Sequence, residues 1–419
     1  MEITVDSSVV NSVIRKVREE GGFAYAATVK QAGQDFQSAE AAREMAWEQL
    51  HCGPWHDVGQ AWRDAYSMAC LYVAAFKVRK GELKEAMKIV DMGVIMGGEG
   101  LRRESDKAIR EIRDALARNE EGKESGEERW NMGMEMSLPE VRHLLPFKSL
   151  LNNIVEKQSS PSMEKFLCDY FLVGSPVVLV DCIDHWPACT KWKDIKYLKR
   201  IAGERTVPVE VGKNYLCPKW KTELIRFSDF LERILSNECN PENRTYLAQH
   251  PLFDQIQELR TDIMMPDYCF TGGGELQSLN AWFGPAETVT PLHHDPHHNL
   301  LAQVVGRKYV RLYPASITED LYPFSESMLK NSSQVDLDKV DTNLFPKVQD
   351  LEFLDCILEE GEMLYIPPKW WHYVKSLTTS FSVSFWWASK KSNECEPIHA
   401  SDATTGDRQF SADNLVSDV

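Results

Sequence analysis

The sequence predicts an α+β protein, in which an all-α N-terminal domain is followed by an all-β sandwich or barrel, the jelly roll included. Two observations predict this. Early segments are rich in Ala, Met, Leu, Glu and Lys, with apolar residues three and four positions apart. From about residue 138, short β-branched and aromatic runs alternate with Gly, Pro, Asn and Asp. We expect a helical domain at 1–118, a charged linker at 119–137, a strand-rich domain at 138–390 and a disordered tail at 391–419.

The helical pattern is clearest in "SAEAAREMAWEQL" and in the segment 62–98, where Gly81 separates two helical stretches as a C-terminal cap would. The spacing of Gly81, Ala86 and Gly93 resembles one helix-turn-helix repeat of the tetratricopeptide type. Because one repeat does not make a solenoid, the pattern favours a small packed bundle. A further helix is predicted at "RFSDFLERILS", before the strand-rich core.

The predicted strands are short runs bounded by turn residues. They are "SPVVLVD", "RTVPVEVG", "SLNAWFG", "LLAQVVGRKYVRLYP", "GEMLYIPP", "WWHYVKSL" and "SFSVSFWWAS".

Composition narrows the class of protein. The 419 residues carry a formal net charge of −16, so bare phosphate would be repelled and a basic protein or peptide attracted. No apolar run is long enough to cross a membrane, and no basic start precedes an apolar segment. The ten cysteines form no CxxC pair, and we expect reduced, mostly buried thiols.

One short stretch, "TVTPLHHDPHHNL", holds four of the eleven histidines and an aspartate. It is either a polar surface loop or part of a metal site. If it is a strand, residues two positions apart share a face, so His293 and Asp295 point together and His294 points away. His372, on the predicted strand "WWHYVKSL", is a candidate third ligand. Two imidazoles and one carboxylate on one side of an octahedral ion leave the other side open, as in non-haem Fe(II) oxygenases.

A 2-oxo acid at the open positions would need a cation for its far carboxylate. Lys308 follows a turn at Gly306 on a strand of Val, Leu and Tyr, and it is either a snorkelling surface residue or an inward charge. Thr290 could add a hydroxyl group, and Asn299 could bind the carboxylate nearest the metal. The other histidines of the stretch are expected to be solvated or to lie behind the ligands: His294, His297 and His298.

The stretch "NAWFGPAETVTPLHHDPHHNLLAQVVGRKYVRLYP", with "GEMLYIPPKWWHYVKSLTTSFSVSFWW", resembles the Jumonji-C domain family of Fe(II)- and 2-oxoglutarate-dependent oxygenases. Within this family, the sequence is most similar to the group of Jumonji-domain-containing protein 5, or lysine demethylase 8. The resemblance covers about residues 170–388. The helical part resembles the N-terminal segment of plant members. The resemblance implies a double-stranded β-helix, or cupin-like jelly roll, that uses Fe(II), 2-oxoglutarate and O2.

The resemblance also implies roles for particular residues. The implied iron ligands are His293, Asp295 and His372. The implied 2-oxoglutarate contacts are Tyr246, Thr290, Asn299 and Lys308. The implied substrate pocket consists of Glu210, Trp282 and Trp386, although by pattern alone these are an exposed strand residue and two core tryptophans.

The pocket, and not the iron, decides which C–H bond reacts. The first expectation is C3 hydroxylation of a peptidyl arginine, because a carboxylate and aromatic faces suit a guanidinium group. The alternative is demethylation of methyl-lysine in histone H3, in transcriptional regulation of the clock or flowering type. An alternative of another class is a chromatin scaffold that acts through the helical domain. The resemblance places the protein in the nucleus and also the cytoplasm.

Overall fold

The computed structural model describes residues 3–120, 153–236, 241–325 and 328–389. The predicted tail at 391–419 lies outside the described residues, as does most of the predicted linker. The last helix before the linker ends at Glu120, so the first two residues assigned to the linker are helical.

The N-terminal part is all-α, as predicted. Its helices are α1 (Ser7–Glu19), α2 (Phe23–Thr28), α3 (Phe36–Leu50), α4 (Gln60–Arg79), α5 (Leu83–Ile95) and α6 (Arg102–Glu120). Asp6 and Asp35 cap α1 and α3 by accepting hydrogen bonds from backbone N–H groups of the first turn. Gly81 has φ +79° in the turn between α4 and α5, where a side chain would be strained. Each helix from α3 onward packs on the next, and α4 is buried along most of its length.

The second part contains all the strands of the described residues, together with several short helices. The helices are α7 (Met163–Phe166), α8 (Ala188–Lys191), α9 (Ile195–Ala202), α10 (Phe227–Leu235), α11 (Leu252–Gln255) and α12 (Gln257–Arg260). The strands are β1 (Lys157–Ser159), β2 (Val177–Val180), β3 (Thr206–Val211), β4 (Lys221–Arg226), β5 (Thr245–His250), β6 (Leu276–Gly284), β7 (Val289–His294), β8 (His298–Val305), β9 (Lys308–Tyr313), β10 (Leu354–Leu358), β11 (Met363–Ile366), β12 (Trp371–Ser376) and β13 (Ser380–Trp387).

The strands form two sheets. The larger has the order β1-β2-β11-β8-β13-β6-β5-β3-β4, and the smaller has the order β10-β9-β12-β7. All neighbours pair antiparallel except β1 and β2. The central strands β8, β9, β12 and β13 are buried on both faces, because one face meets the other sheet and the other meets helices or loops. The predicted α+β class, with a jelly-roll-type β domain, is confirmed.

Every predicted strand run contains a strand, and the helix predicted at "RFSDFLERILS" is α10. The pattern missed β1, β4, β5 and β10, which carry charged or polar residues among few β-branched ones. The expectation that most cysteines are buried is wrong for the described part: of eight described cysteines, all free, only Cys70, Cys269 and Cys356 are buried. Among the described residues, the helices are too short or too polar to span a bilayer.

Candidate metal centre and co-substrate cavity

Strand register brings the three predicted ligands together. His293 on β7 and His372 on β12 are paired residues of adjacent antiparallel strands, and their ring centroids lie 4.1 Å apart. Asp295 is the first residue after β7, on the same side as His293. Its carboxylate oxygens lie 4.0 Å from Nε2 of His293 and 3.5 Å from Nε2 of His372. One ligand atom from each residue lies within 4.8 Å of the others, which is the spacing of a three-ligand metal site.

Backbone carbonyls orient both imidazoles. Nδ1 of His293 donates a hydrogen bond to the carbonyl oxygen of Pro291 at 2.8 Å. Nδ1 of His372 donates in the same way to Trp370 at 3.0 Å. Because a carbonyl only accepts, each Nδ1 carries the proton and each Nε2 presents a lone pair to the shared centre.

The ligands open into a cavity between the two sheets. It is lined by all seven predicted metal and co-substrate residues together with Trp282, Leu301, Ile366 and Val374. Lys308 is 1% exposed at the start of β9, and its Nζ lies 3.3 Å from the hydroxyl oxygen of Tyr246. The reading of Lys308 as a snorkelling surface residue is therefore wrong. Tyr246 and Thr290 also interact through their hydroxyl groups.

Burial without a nearby carboxylate lowers the pKa of Lys308 to about 7. No carboxylate of the described residues forms an ion pair with its ammonium group. Such a cation is costly to keep charged, unless a ligand supplies the missing anion. The cavity therefore holds a lysine that a carboxylate of a small molecule would stabilise in its charged form.

Two further polar atoms support the fit of a metal and an oxygen-rich ligand. Within the described residues, Oδ2 of Asp295 and Oδ1 of Asn299 are buried and accept no hydrogen bond. Buried polar atoms are normally satisfied, so unpaired oxygens at a cavity wall indicate a missing partner. The donor set of two imidazoles and one carboxylate suits Fe(II), and the residues present fit both that ion and a 2-oxo dicarboxylate.

Three cavity residues were missed by the sequence analysis: Leu301, Ile366 and Val374. Leu301 lies two positions after Asn299 and Val374 two positions after His372, so strand periodicity could have placed both on the inner face. Ile366 is the register partner of Asn299 across β11 and β8, which sequence alone does not give. These apolar side chains form the part of the cavity wall beside the His-Asp-His cluster.

The three predicted substrate residues do not all reach the cavity. Trp282 lines it, and its Nε1 donates to Oγ of Ser384 at 2.8 Å. Trp386 is the register partner of Asn299, and Glu210 is that of Tyr246. Paired residues point to the same face of a sheet, so both project toward the cavity side without lining it.

The remaining histidines differ from one another. His294 is half-buried, with its ring edge-on to Trp371 at 4.7 Å, and His297 is half-buried near Trp386. His298 is buried and stacked on Phe171 at 4.3 Å, so the expectation of a solvated or supporting residue is wrong for it. Burial lowers the pKa of His298 to about 4, which keeps this core ring neutral.

Comparison with known proteins assigns the class. Residues 163–393 match the family described as "Cupin-like domain", and residues 3–127 match "KDM8-like, N-terminal ARM repeats". The chain belongs to the Jumonji-C family of cupin-like 2-oxoglutarate-dependent oxygenases and is therefore an enzyme. Such domains in general depend on Fe(II) and 2-oxoglutarate, and the His-Asp-His cluster fits that dependence. The helical part therefore matches a repeat family, and this match replaces the interpretation as a small packed bundle. The sequence pattern favoured the bundle because it shows only one weak repeat.

Several relatives match along most of their length. The chain is 58% identical to lysine-specific demethylase JMJ30 of Arabidopsis thaliana, over 92% of this chain and 93% of that protein. It is 36% identical to lysine-specific demethylase 8 of Xenopus tropicalis, over 92% and 96% of the two chains. Jumonji C domain-containing protein 5 of Drosophila melanogaster is 36% identical, over 81% and 84%. These matches place the chain in the lysine demethylase 8 group.

The buried Lys308 of the cavity wall leads us to expect that co-substrate binding depends on pH. Lys308 must be protonated to pair with a carboxylate, and its pKa in the free protein is about 7. If Lys308 binds the far carboxylate of 2-oxoglutarate, we expect the affinity to be highest below pH 7 and to weaken by about tenfold for each pH unit above it. Calorimetric titration of the metal-loaded protein at pH 6.5, 7.5 and 8.5 measures this, and proton uptake on binding at pH 8.5 would accompany it. An affinity independent of pH would contradict the assignment of Lys308.

Proposed function

We propose that this chain is an Fe(II)- and 2-oxoglutarate-dependent oxygenase that demethylates a methyl-lysine residue of a basic protein, with a histone H3 tail as the substrate to test first. The observation that carries the proposal is the single cavity in which the His-Asp-His cluster, the buried Lys308 and the Trp282 ring come together. The names of the relatives favour demethylation over other oxidations, since two that cover 92% of the chain are called lysine-specific demethylases.

The residues divide the work between binding and positioning. His293, Asp295 and His372 would hold the metal from one side. Fe(II), 2-oxoglutarate and O2, when bound, would together supply an oxidant that replaces the hydrogen of an unreactive C–H bond by a hydroxyl group, while 2-oxoglutarate is converted to succinate and carbon dioxide. The four co-substrate residues would bind 2-oxoglutarate, with the ammonium of Lys308 on its far carboxylate: Tyr246, Thr290, Asn299 and Lys308. Leu301, Ile366 and Val374 form the apolar part of the cavity wall.

The substrate side is polar and aromatic. A methyl-ammonium group binds to the faces of tryptophan rings, and Trp282 provides one at the cavity wall. Trp386 lies on the cavity side of the sheet without lining the cavity, and its Nε1 is a buried donor that makes no hydrogen bond within the described residues. A hydroxyl group placed on an N-methyl carbon gives an N-hydroxymethyl amine. Its C–N bond then breaks, formaldehyde leaves, and the nitrogen takes up the hydroxyl proton, which completes demethylation. The net charge of −16 favours a basic partner, and a histone substrate implies a nuclear location.

A second candidate is C3 hydroxylation of arginine, which Glu210 favours. Its half-buried carboxylate stands beside Tyr246 on the cavity side of the sheet, where it could form a forked pair with a guanidinium group. The two functions differ in product mass. We would incubate the protein with Fe(II), 2-oxoglutarate and either methylated H3 peptides or arginine peptides. A product that has lost the mass of a methylene unit supports demethylation. A gain of one oxygen on an unmethylated arginine peptide would show that the activity is hydroxylation instead.

Glu210→Gln provides an independent discrimination. A hydrogen bond to a charged group contributes about 1.5–3 kcal/mol, so an arginine substrate held by Glu210 should show a KM higher by about 10- to 150-fold. The KM for a methyl-lysine substrate held by aromatic faces should rise much less in Glu210→Gln. For that substrate, Trp282→Leu should raise the KM more than Glu210→Gln does. Peptide KM values for the two variants measure the difference. Glu223→Gln, on the adjacent β4 strand, is the control for a lost carboxylate outside the cavity.

A further inference from the structure

The helical part and the β domain meet around a buried carboxylate. Asp91, on α5, is fully buried and accepts hydrogen bonds only from residues of the β domain among the partners seen in the described structure. Nε and Nη2 of Arg205 donate to Oδ1 at 2.9 and 2.6 Å, and Nε also lies 3.2 Å from Oδ2. The backbone N–H of Thr206 donates to Oδ2 at 2.7 Å. Nε2 of Gln255 donates to Oδ1 at 3.1 Å.

The same residues are joined to one another behind Asp91. Nη2 of Arg205 donates to the carbonyl of Gln255 at 2.9 Å, and Nε2 of Gln255 donates to the carbonyl of Thr206 at 2.7 Å. Nε2 of His250 donates to Oε1 of Gln255 at 2.7 Å. Burial lowers the pKa of His250 to about 4, so this ring is a neutral donor at physiological pH. The network therefore connects α5 with the first residue of β3 and the last residue of β5.

Both strands lead from this network to the cavity. Glu210 lies four residues along β3 from Thr206, and Tyr246 lies four residues before His250 on β5. Glu210 and Tyr246 are register partners at the other end of the strand pair. A span of four extended residues is about 13 Å, so Asp91 does not touch the reacting groups.

The ladder that joins β5 to its neighbours is short and irregular. Only two register pairs join β5 to β3, and its pairing with β6 is interrupted by an irregularity between Leu247 and His250. Gln249, within that irregularity, has a positive φ of 48°. A strand with a broken ladder needs other contacts to fix its position, and the Asp91 network supplies them at its end.

We propose that Asp91 is a positioning residue: from the helical domain, it fixes the β3–β5 pair and thereby places Tyr246 for 2-oxoglutarate and Glu210 for the protein substrate. The helical part is then a structural component of the active site and not only an appended module. The proposal rests on the proposed function for the roles of Tyr246 and Glu210. The charge on Asp91 is required because Arg205 is itself almost fully buried and needs an anionic partner.

The first test is Asp91→Asn in the full-length protein. We expect faster amide hydrogen exchange in 206–211 and 245–250, with no change in the metal-ligand strands β7 and β12. We also expect the KM for 2-oxoglutarate to rise by about 2- to 30-fold, with kcat at saturating co-substrate and bound metal unchanged. Arg113→Ala is the matched control, because Arg113 pairs with Glu258 across the same interface without contacting either strand. Exchange confined to α5, or an unchanged KM, would overturn the proposal.

A double variant separates positioning from stability. Asp91→Asn with Arg205→Gln removes both buried charges, so it should recover much of the stability that the single variant loses. Positioning predicts that the KM for 2-oxoglutarate stays raised in the double variant. A KM that returns to normal with stability would reduce Asp91 to a structural residue. Hydrogen exchange needs no turnover, so it tests the strand coupling even if 2-oxoglutarate is not the co-substrate.

Discussion

Asp295→Asn should strip the protein of Fe(II) and abolish 2-oxoglutarate turnover. The carboxylate is the only anionic member of the cluster, and its Oδ2 is 3.5 Å from Nε2 of His372. Loss of a group that merely supports a metal ligand costs about 10–100-fold in metal affinity, so loss of a ligand charge should cost more than about 100-fold. Elemental analysis of dialysed protein measures the metal, and succinate formation measures turnover. The fold should persist, because the side chain accepts no hydrogen bond at Oδ2 within the described residues.

The matched control is His294→Gln, which changes the neighbouring imidazole on the other face of β7. His294 contacts Trp371 edge-on and does not line the cavity. This variant should therefore keep its iron and its turnover. If it lost iron as completely as Asp295→Asn, or if Asp295→Asn retained stoichiometric iron, the metal would be bound elsewhere.

The metal site was predictable from local sequence because it depends on the shortest-range rule of strands. Alternation of side chains places His293 and Asp295 on one face, whatever the strand pairs with. His372 required a long-range contact, and the sequence gives it only as a histidine on another predicted strand. The pairing of His372 with His293 is a property of the whole fold, because it depends on how β12 lies between β9 and β7.

Tyr246 and the Asp91 network mark where prediction from the residues stops. β5 has the sequence "TYLAQH", which lacks the run of β-branched residues that identifies a strand. Its place in the sheet comes from tertiary contacts, including those from α5, which lies more than a hundred residues earlier. In the sequence, Asp91 is one acidic residue of an amphipathic helix. No neighbouring residue distinguishes it from an acidic residue that faces solvent.

The second large effect is expected for Lys308→Met. Methionine fills the same apolar space but offers no charge to the far carboxylate of 2-oxoglutarate. Loss of one partner from a buried charge pair costs about 2–5 kcal/mol, which raises the Kd by about 30- to 4,000-fold. The same variant should raise the free energy of unfolding of the ligand-free protein, most strongly below pH 7 and progressively less as the pH rises toward the ordinary pKa of lysine, because an ammonium group that is 1% exposed no longer has to be buried. Calorimetric titration and chemical denaturation measure the two effects.

Lys375→Met is the matched control, because Lys375 lies on the adjacent strand β12 and is also buried, but outside the cavity. Its Nζ pairs with Glu287 at 3.0 Å and Asp338 at 3.3 Å. Its loss should therefore lower the free energy of unfolding and leave the Kd for 2-oxoglutarate unchanged. The opposite changes in the free energy of unfolding distinguish the two lysines. The protein itself supplies the carboxylates that pair with Lys375, whereas Lys308 is expected to pair with a carboxylate of its ligand. A Lys308→Met protein that is less stable and binds 2-oxoglutarate normally would show that Lys308 is a structural residue like Lys375.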